Sequence, residues 1–221
     1  MKIAVVSPHR ILGGGETSIR TLMKAMRRHW FQVYPLRDQH HVMKDVVDYS
    51  DCPNVGVESA TELDRKLASF RPDIVMFYGD ATAAVLRETA KLASRPKLIY
   101  LAKTSNYGGN YQHWATCRDL VDGAVAVSAE IGLEMMRLAT DRIWEPGRHK
   151  VWVIPQGVDR GVFKPDGGRP RGPRIETVGY VGRLAGGKGL DTLPRALADT
   201  GLRLILAGPP TTKFAREWFD G

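Results

Sequence analysis

Lys2-Ile3-Ala4-Val5-Val6-Ser7, then Gly13-Gly14-Gly15, then Glu16 to Trp30 with Ile19, Leu22, Met23 and Met26 at helical spacing, reads as strand, glycine loop and helix. A strand with one solvated face alternates apolar and polar residues, whereas a strand buried on both faces is nearly all apolar. This first strand is of the second kind. Similar runs recur at Phe31 to Leu36, Asp73 to Tyr78, Lys97 to Ala102, Ala124 to Val127 and Val151 to Pro155. Helical patterns separate most of them. Ser59 followed by Glu62 fits a capping box ahead of a helix with Leu63, Leu67 and Phe70 on one face, and Arg71-Pro72 ends it. Ala81 to Ala93 reads as a helix, as does Gln112 to Val121 with Trp114, Cys117 and Leu120, and Ser128 caps another that runs to about Thr140. Residues 37–57 are polar and weakly periodic, so they read as an irregular excursion. Short apolar strands alternating with helices predict an α/β fold on a parallel sheet.

The stretch Lys164-Pro165-Asp166-Gly167-Gly168-Arg169-Pro170-Arg171-Gly172-Pro173 has no apolar periodicity and reads as a linker. After it the pattern restarts, with a strand at Glu176 to Val181, a glycine-rich loop at Gly182 to Gly189, a helix holding Leu190 to Leu197 and a strand at Leu202 to Ala207. A short helix is expected after Gly208-Pro209-Pro210. The domain reading is therefore 1–165 for a first domain, 166–174 for the linker and 175–221 for the start of a second, incomplete one. Two or three parallel strands cannot cover their own faces, so the second part is expected to need a partner chain, self-association or further sequence to pack against.

With 43% hydrophobic and 25% charged residues, the composition is that of a soluble protein. No run approaches the length of a membrane span, and the apolar run after Met1 is too short for a secretory signal, so a cytoplasmic location is expected. Cys52 and Cys117 are not in a C-x-x-C pair, which argues against a disulfide framework or a cysteine zinc site. The net charge of +8 is scattered over Arg27-Arg28, Arg65-Lys66, Arg142, Arg148-His149-Lys150 and Arg169 to Arg174. No basic helix interleaved with aromatics appears, so no nucleic-acid partner is expected, while peripheral contact of the basic surface with an anionic membrane stays open.

Two glycine loops carry the functional reading. Gly13-Gly14-Gly15 lies between the first strand and its helix, where missing side chains let backbone approach a ligand and a helix start presents free N–H groups. It is not the G-x-G-x-x-G of dinucleotide sites. The second loop, Val181-Gly182-Arg183-Leu184-Ala185-Gly186-Gly187-Lys188-Gly189, sets two cations five residues apart at the exit of a strand. A guanidinium fork beside an ammonium point charge suits two linked phosphoryl groups better than one anion. Gly189 stands where a Walker loop needs Ser or Thr, so that reading fails. No D-x-D triplet and no His or Asp cluster with ligand spacing is found, and no metal or cofactor is expected.

Gly182-Arg183-Leu184 with Lys188-Gly189-Leu190-Asp191 resembles the G-R-L-x-x-x-K-G-x-D signature of the retaining GT-B glycosyltransferases of the glycogen-synthase-like group, family 4. Val127-Ser128-Ala129, Val153-Ile154-Pro155-Gln156-Gly157-Val158-Asp159 and Phe163-Lys164-Pro165 resemble three further segments of that family in order and spacing. The resemblance implies two Rossmann-like domains, with a nucleoside-diphosphate sugar as donor. It implies that Arg183 and Lys188 hold the diphosphate without a metal, and that Gly13, Gly14, Gly15 and Gly182 line the donor cleft. Gln156 stands where Asn is usual and Gly187 where Glu is common. The family's E-x7-E segment would lie beyond Gly221, and its usual His after the strand at Lys97 to Ala102 is replaced by Lys103-Thr104-Ser105-Asn106. Lys103 and His113 are candidates for the acceptor side. Three readings follow: a glycosyltransferase with an unidentified acceptor, an inactive fragment that binds a nucleotide sugar or other phosphorylated ligand without turnover, and a basic structural or nucleic-acid-associated protein.

Overall fold

The computed structural model describes residues 1–9, 14–37, 48–79, 83–103, 114, 117–137, 151–164, 176–185 and 188–210. Gly13, His113, Gly186, Gly187, the 166–174 linker and the helix expected after Pro210 lie outside the described residues. The chain divides into two compact units, Met1–Phe163 and Lys164–Gly221.

The first unit is built on seven parallel strands: β1 (Lys2–His9), β2 (Trp30–Arg37), β3 (Val55–Val57), β4 (Ile74–Tyr78), β5 (Lys97–Ala102), β6 (Gly123–Ala126) and β7 (Val151–Val153). They lie in the order β3-β2-β1-β4-β5-β6-β7, every neighbouring pair parallel. Successive residues of a strand point to opposite faces, and here both faces are dry. Ile3 and Val5 of β1 join Phe31, Val33, Ile74 and Met76 on one side. Ala4 and Val6 join Tyr34, Val75, Phe77, Leu98 and Tyr100 on the other.

Helix α1 (Gly14–Ala25) covers the first face with Ile19 and Met23. Helices α2 (Leu63–Phe70), α3 (Ala83–Thr89) and α4 (Ala129–Arg137) cover the second with Leu63, Leu67, Leu86, Ile131 and Met135. Trp114 packs there too, its ring centroid 5.4 Å from that of Tyr100 and its indole N–H donating to the Met135 carbonyl at 3.2 Å. Cys52 and Cys117 are buried and form no disulfide, one in each cluster.

Several boundaries differ from those the pattern predicts. The first helix ends at Ala25, and Trp30 instead opens β2, where it pairs with Lys2. Within the excursion over 37–57, Val55–Val57 forms the edge strand β3 beside Phe31–Val33. Asp51 there receives Arg20 and Lys24 of α1 as ion-pair partners, which ties the segment to the helix. Ser59 does not close a capping box. Its hydroxyl accepts from the Thr61 N–H at 3.2 Å, while Glu62, in a left-handed conformation at the start of α2, makes no side-chain cap. Leu120 falls in a short 3-10 turn, Arg118–Leu120, and is exposed. Ser128 does cap α4, accepting from the Ile131 N–H at 3.3 Å.

The second unit carries the parallel pair β8 (Thr177–Val181) and β9 (Arg203–Ala207), joined through helix α5 (Thr192–Leu197). Its small core is Leu184 and Leu190 against Tyr180 and Leu206. Val181 is 87% exposed and Ile205 48%. No helix among the described residues is long and apolar enough to cross a membrane.

Leu67 has no exposed surface, whereas Leu133 on α4 is 53% exposed. Leu67→Ala is expected to lower stability by about 2–5 kcal/mol and Leu133→Ala by less than about 0.5 kcal/mol, read from urea unfolding curves. Equal losses would contradict the core assigned here.

Candidate functional site

In an open parallel sheet, ligands collect at the carboxyl ends of the strands where the winding changes side. In the first unit that place is between β1 and β4, since α1 covers one face and α2 to α4 the other. Gly14 and Gly15 open α1 at this edge, Tyr78 ends β4, and Lys103 follows the last residue of β5. The Lys103 ammonium donates to the Gly15 carbonyl at 3.1 Å and sits 4.8 Å from the centroid of the Tyr78 ring.

Gly15 has no room for a side chain. A Cβ there would stand 1.6 Å from the Tyr78 hydroxyl oxygen and 2.3 Å from the adjoining ring carbon. At Gly14 a Cβ would meet nothing within 4 Å. Glu16, the third residue of α1, is buried with 7% of its surface exposed. Burial pulls the Lys103 ammonium down to about 8, with the nearby Glu16 carboxylate opposing part of the fall. Burial, and then the same carboxylate, push the Tyr78 hydroxyl up to about 12, so it stays protonated at neutral pH.

The structure thus brings together two residues that the sequence singles out separately, Gly15 and Lys103. It adds Glu16 and Tyr78, which sequence reasoning missed as site residues. Tyr78 closes an apolar run and reads as one more core aromatic; Glu16 reads as an acid favoured at a helix start. Its place directly after three glycines was the available signal.

In the second unit, Gly182 follows β8 with φ +155°. Its N–H donates to the Ala207 carbonyl at 2.9 Å, and the Leu184 N–H donates to that of Pro209 at 2.9 Å. Gly208 lets the two backbones meet, since a Cβ there would stand 1.8 Å from the Gly182 carbonyl oxygen. The Tyr180 hydroxyl donates to the Arg183 carbonyl at 3.0 Å. Leu184 and Leu190 are buried, whereas Arg183 and Lys188 are exposed. Two buried leucines therefore fasten a loop whose cations face solvent, and neither cation has an ion-pair partner among the described residues.

No protein-family model matches the chain, and no curated protein matches it. Solved structures do. An Anabaena protein, HepE in complex with UDP-glucose, superposes with a TM-score of 0.68 at 17% identity over 100% of this chain and 65% of its own length. An alpha-glucosyltransferase (AGT) in complex with UDP gives 0.63 at 10% identity over 98% of this chain and 61% of that one. An E. coli structure described as trehalose-6-phosphate, bound with UDP-2-fluoro glucose, gives 0.62 at 13% identity over 100% and 67%. The chain thus spans about two thirds of the length of these structures or less. The likeness is one of fold alone, a GT-B-like α/β fold.

Gly15→Ala is expected to displace Tyr78 and lower stability by about 1–3 kcal/mol, with partial recovery when Tyr78→Ala is added; thermal unfolding of the two variants decides it. Acetylation of Lys103, followed by mass spectrometry across pH, should show a midpoint near 8 rather than in the ordinary lysine range around 10.5. The folded-state value lies below the unfolded one, so the stability penalty of the charged amine is fully present below about pH 8. It is relieved as pH climbs toward 10.5.

Proposed function

We propose that this chain is the nucleotide-sugar-handling part of a glycosyltransferase, moving a sugar from a nucleoside-diphosphate sugar to an acceptor with retention, in the manner of the family 4 group. The observation that carries this reading is the second glycine loop. Arg183 and Lys188 stand exposed on either side of the buried Leu184, at the carboxyl end of a parallel strand. The GT-B fold, and the UDP or UDP-sugar in the three similar structures, support the same reading.

The chemistry follows from charge. When the bond between the sugar and the diphosphate breaks, negative charge grows on the leaving phosphoryl oxygen. Cations already in place lower that barrier more than they stabilise the intact donor. Arg183 would take two phosphoryl oxygens through its planar fork, and Lys188 would supply a point charge beside them. Residues 175–221 then form the donor-binding part and 1–165 the acceptor-side part, with Gly182 allowing backbone to lie close to the donor.

UDP-glucose, GDP-sugars and ADP-sugars are the panel for a thermal-shift measurement on the 221-residue chain. At least one is expected to raise the melting temperature. Removing one charged partner of a phosphate costs about 1.5–3 kcal/mol, so Arg183→Ala and Lys188→Ala should each weaken that donor about tenfold or more. Melting shifts that both variants leave unchanged would remove the diphosphate clamp.

A further inference from the structure

At the opposite end of α1 from Gly15, on the edge of the sheet where the strands begin, lies a cavity of about 510 Å³. Small-molecule sites span roughly 300–1,000 Å³, so its size is that of a ligand pocket. Three distant parts of the chain wall it. Lys24 and Arg27 lie at and just past the end of α1, Asp51 lies ahead of β3, and Val158, Asp159 and Arg160 follow β7. In the sheet, β4, β5 and β6 separate β7 from β1, so the segment after β7 runs back to meet the end of α1. All of these residues belong to the first unit.

The charges in this cavity are unequally satisfied. Asp51 accepts from the Arg20 Nε–H at 3.0 Å and pairs with both Arg20 and Lys24. Asp159 accepts from the Gly161 N–H at 2.8 Å. The Arg27 and Arg160 side chains have no hydrogen bond and no ion pair among the described residues. Their backbones are nevertheless fixed. The Asn54 side-chain amide donates to the Arg27 carbonyl at 3.4 Å, and the Asp159 carbonyl beside Arg160 accepts from the Val162 and Phe163 N–H groups at 3.0 and 2.8 Å. Two guanidiniums that line one cavity repel each other, and an anion between them reverses the sign of that interaction.

The number of oxygens and charges selects the anion. A phosphomonoester carries about −1.5 to −2 at neutral pH and three terminal oxygens, enough for two planar forks. A carboxylate brings one charge and two oxygens, which one fork already takes. We propose that this cavity binds a phosphomonoester, with Arg27 and Arg160 each offering its guanidinium fork to the terminal phosphoryl oxygens. Asp159 is the opposing charge at the site. A group held by both arginines would fasten the segment leaving β7 to the end of α1. The site is separate from the Arg183 and Lys188 loop, and it does not depend on the transferase reading.

Isothermal titration calorimetry of the 221-residue chain with glucose 6-phosphate and with glucose tests this. The phosphorylated sugar should bind and glucose should not. Arg27→Ala and Arg160→Ala should each weaken binding about tenfold. Both side chains are exposed, so the melting temperature should stay at the wild-type value. Asp159→Asn, which keeps an oxygen for the Gly161 N–H and removes the charge, should tighten binding. Arg183→Ala and Lys188→Ala should leave it unchanged. Co-sedimentation with vesicles of phosphatidic acid, against vesicles of phosphatidylcholine, separates the two sources of the ester. Selective capture by phosphatidic acid that both arginine variants lose assigns a lipid headgroup, and binding of glucose 6-phosphate alone assigns a soluble ester. No binding of either ester, equal binding of glucose, wild-type binding by both arginine variants, or loss on Arg183→Ala instead would overturn the proposal.

Discussion

Parallel strands joined by helical crossovers have to be sealed on both faces, because neither face has the polar alternation that tolerates water. In the first unit that requirement divides the helices, α1 on one side and α2 to α4 on the other. The chain must therefore change sides once, and it does so between β1 and β4, neighbours at the middle of the sheet. Connections that leave neighbouring strands in opposite directions cannot fill the space above both strand ends. Gly15, Glu16, Tyr78 and Lys103 gather at that place for this reason, although they are distant in sequence.

The second unit solves a different problem with less material. Among the described residues, two strands and a six-residue helix bury Leu184 and Leu190 deeply and no other apolar side chain. Both leucines belong to the glycine loop itself or its exit, so the little core there is spent on fixing the loop rather than on the sheet. A side chain whose flanking backbone is pinned loses less freedom on meeting an anion, which is what the proposed diphosphate clamp would draw from this small apolar cluster.

Much of this arrangement was legible in the chain. The strands of the first sheet stand out because Ile, Val, Leu and Tyr follow one another without polar interruption, and β5 begins and ends where the pattern places it. The failures are local and physical. Val55-Gly56-Val57 is too short to register as a period, and only pairing with β2 makes it a strand. Trp30 fits the end of a helical stripe as well as the start of a strand, and its ladder with Lys2 decides the matter. Ser59 and Glu62 have capping-box spacing, but the serine hydroxyl is engaged by Thr61. Lys103 stands out in the chain as a candidate because it follows β5, where the family resemblance puts a His. The burial of Glu16 and the overlap of Tyr78 with the empty side of Gly15 are properties of packing, which one-dimensional spacing does not encode.

Both outer strands of the seven-stranded sheet are only three residues long. On one border the Gln32 side chain occupies the space that a Cβ on Gly56 would need, its oxygen 2.4 Å from that point. On the other, the Ile154 N–H just past β7 donates to the Ala126 carbonyl at 2.9 Å. Borders as short as these offer a second molecule few amides to pair with, which is one way natural sheets limit edge-to-edge growth.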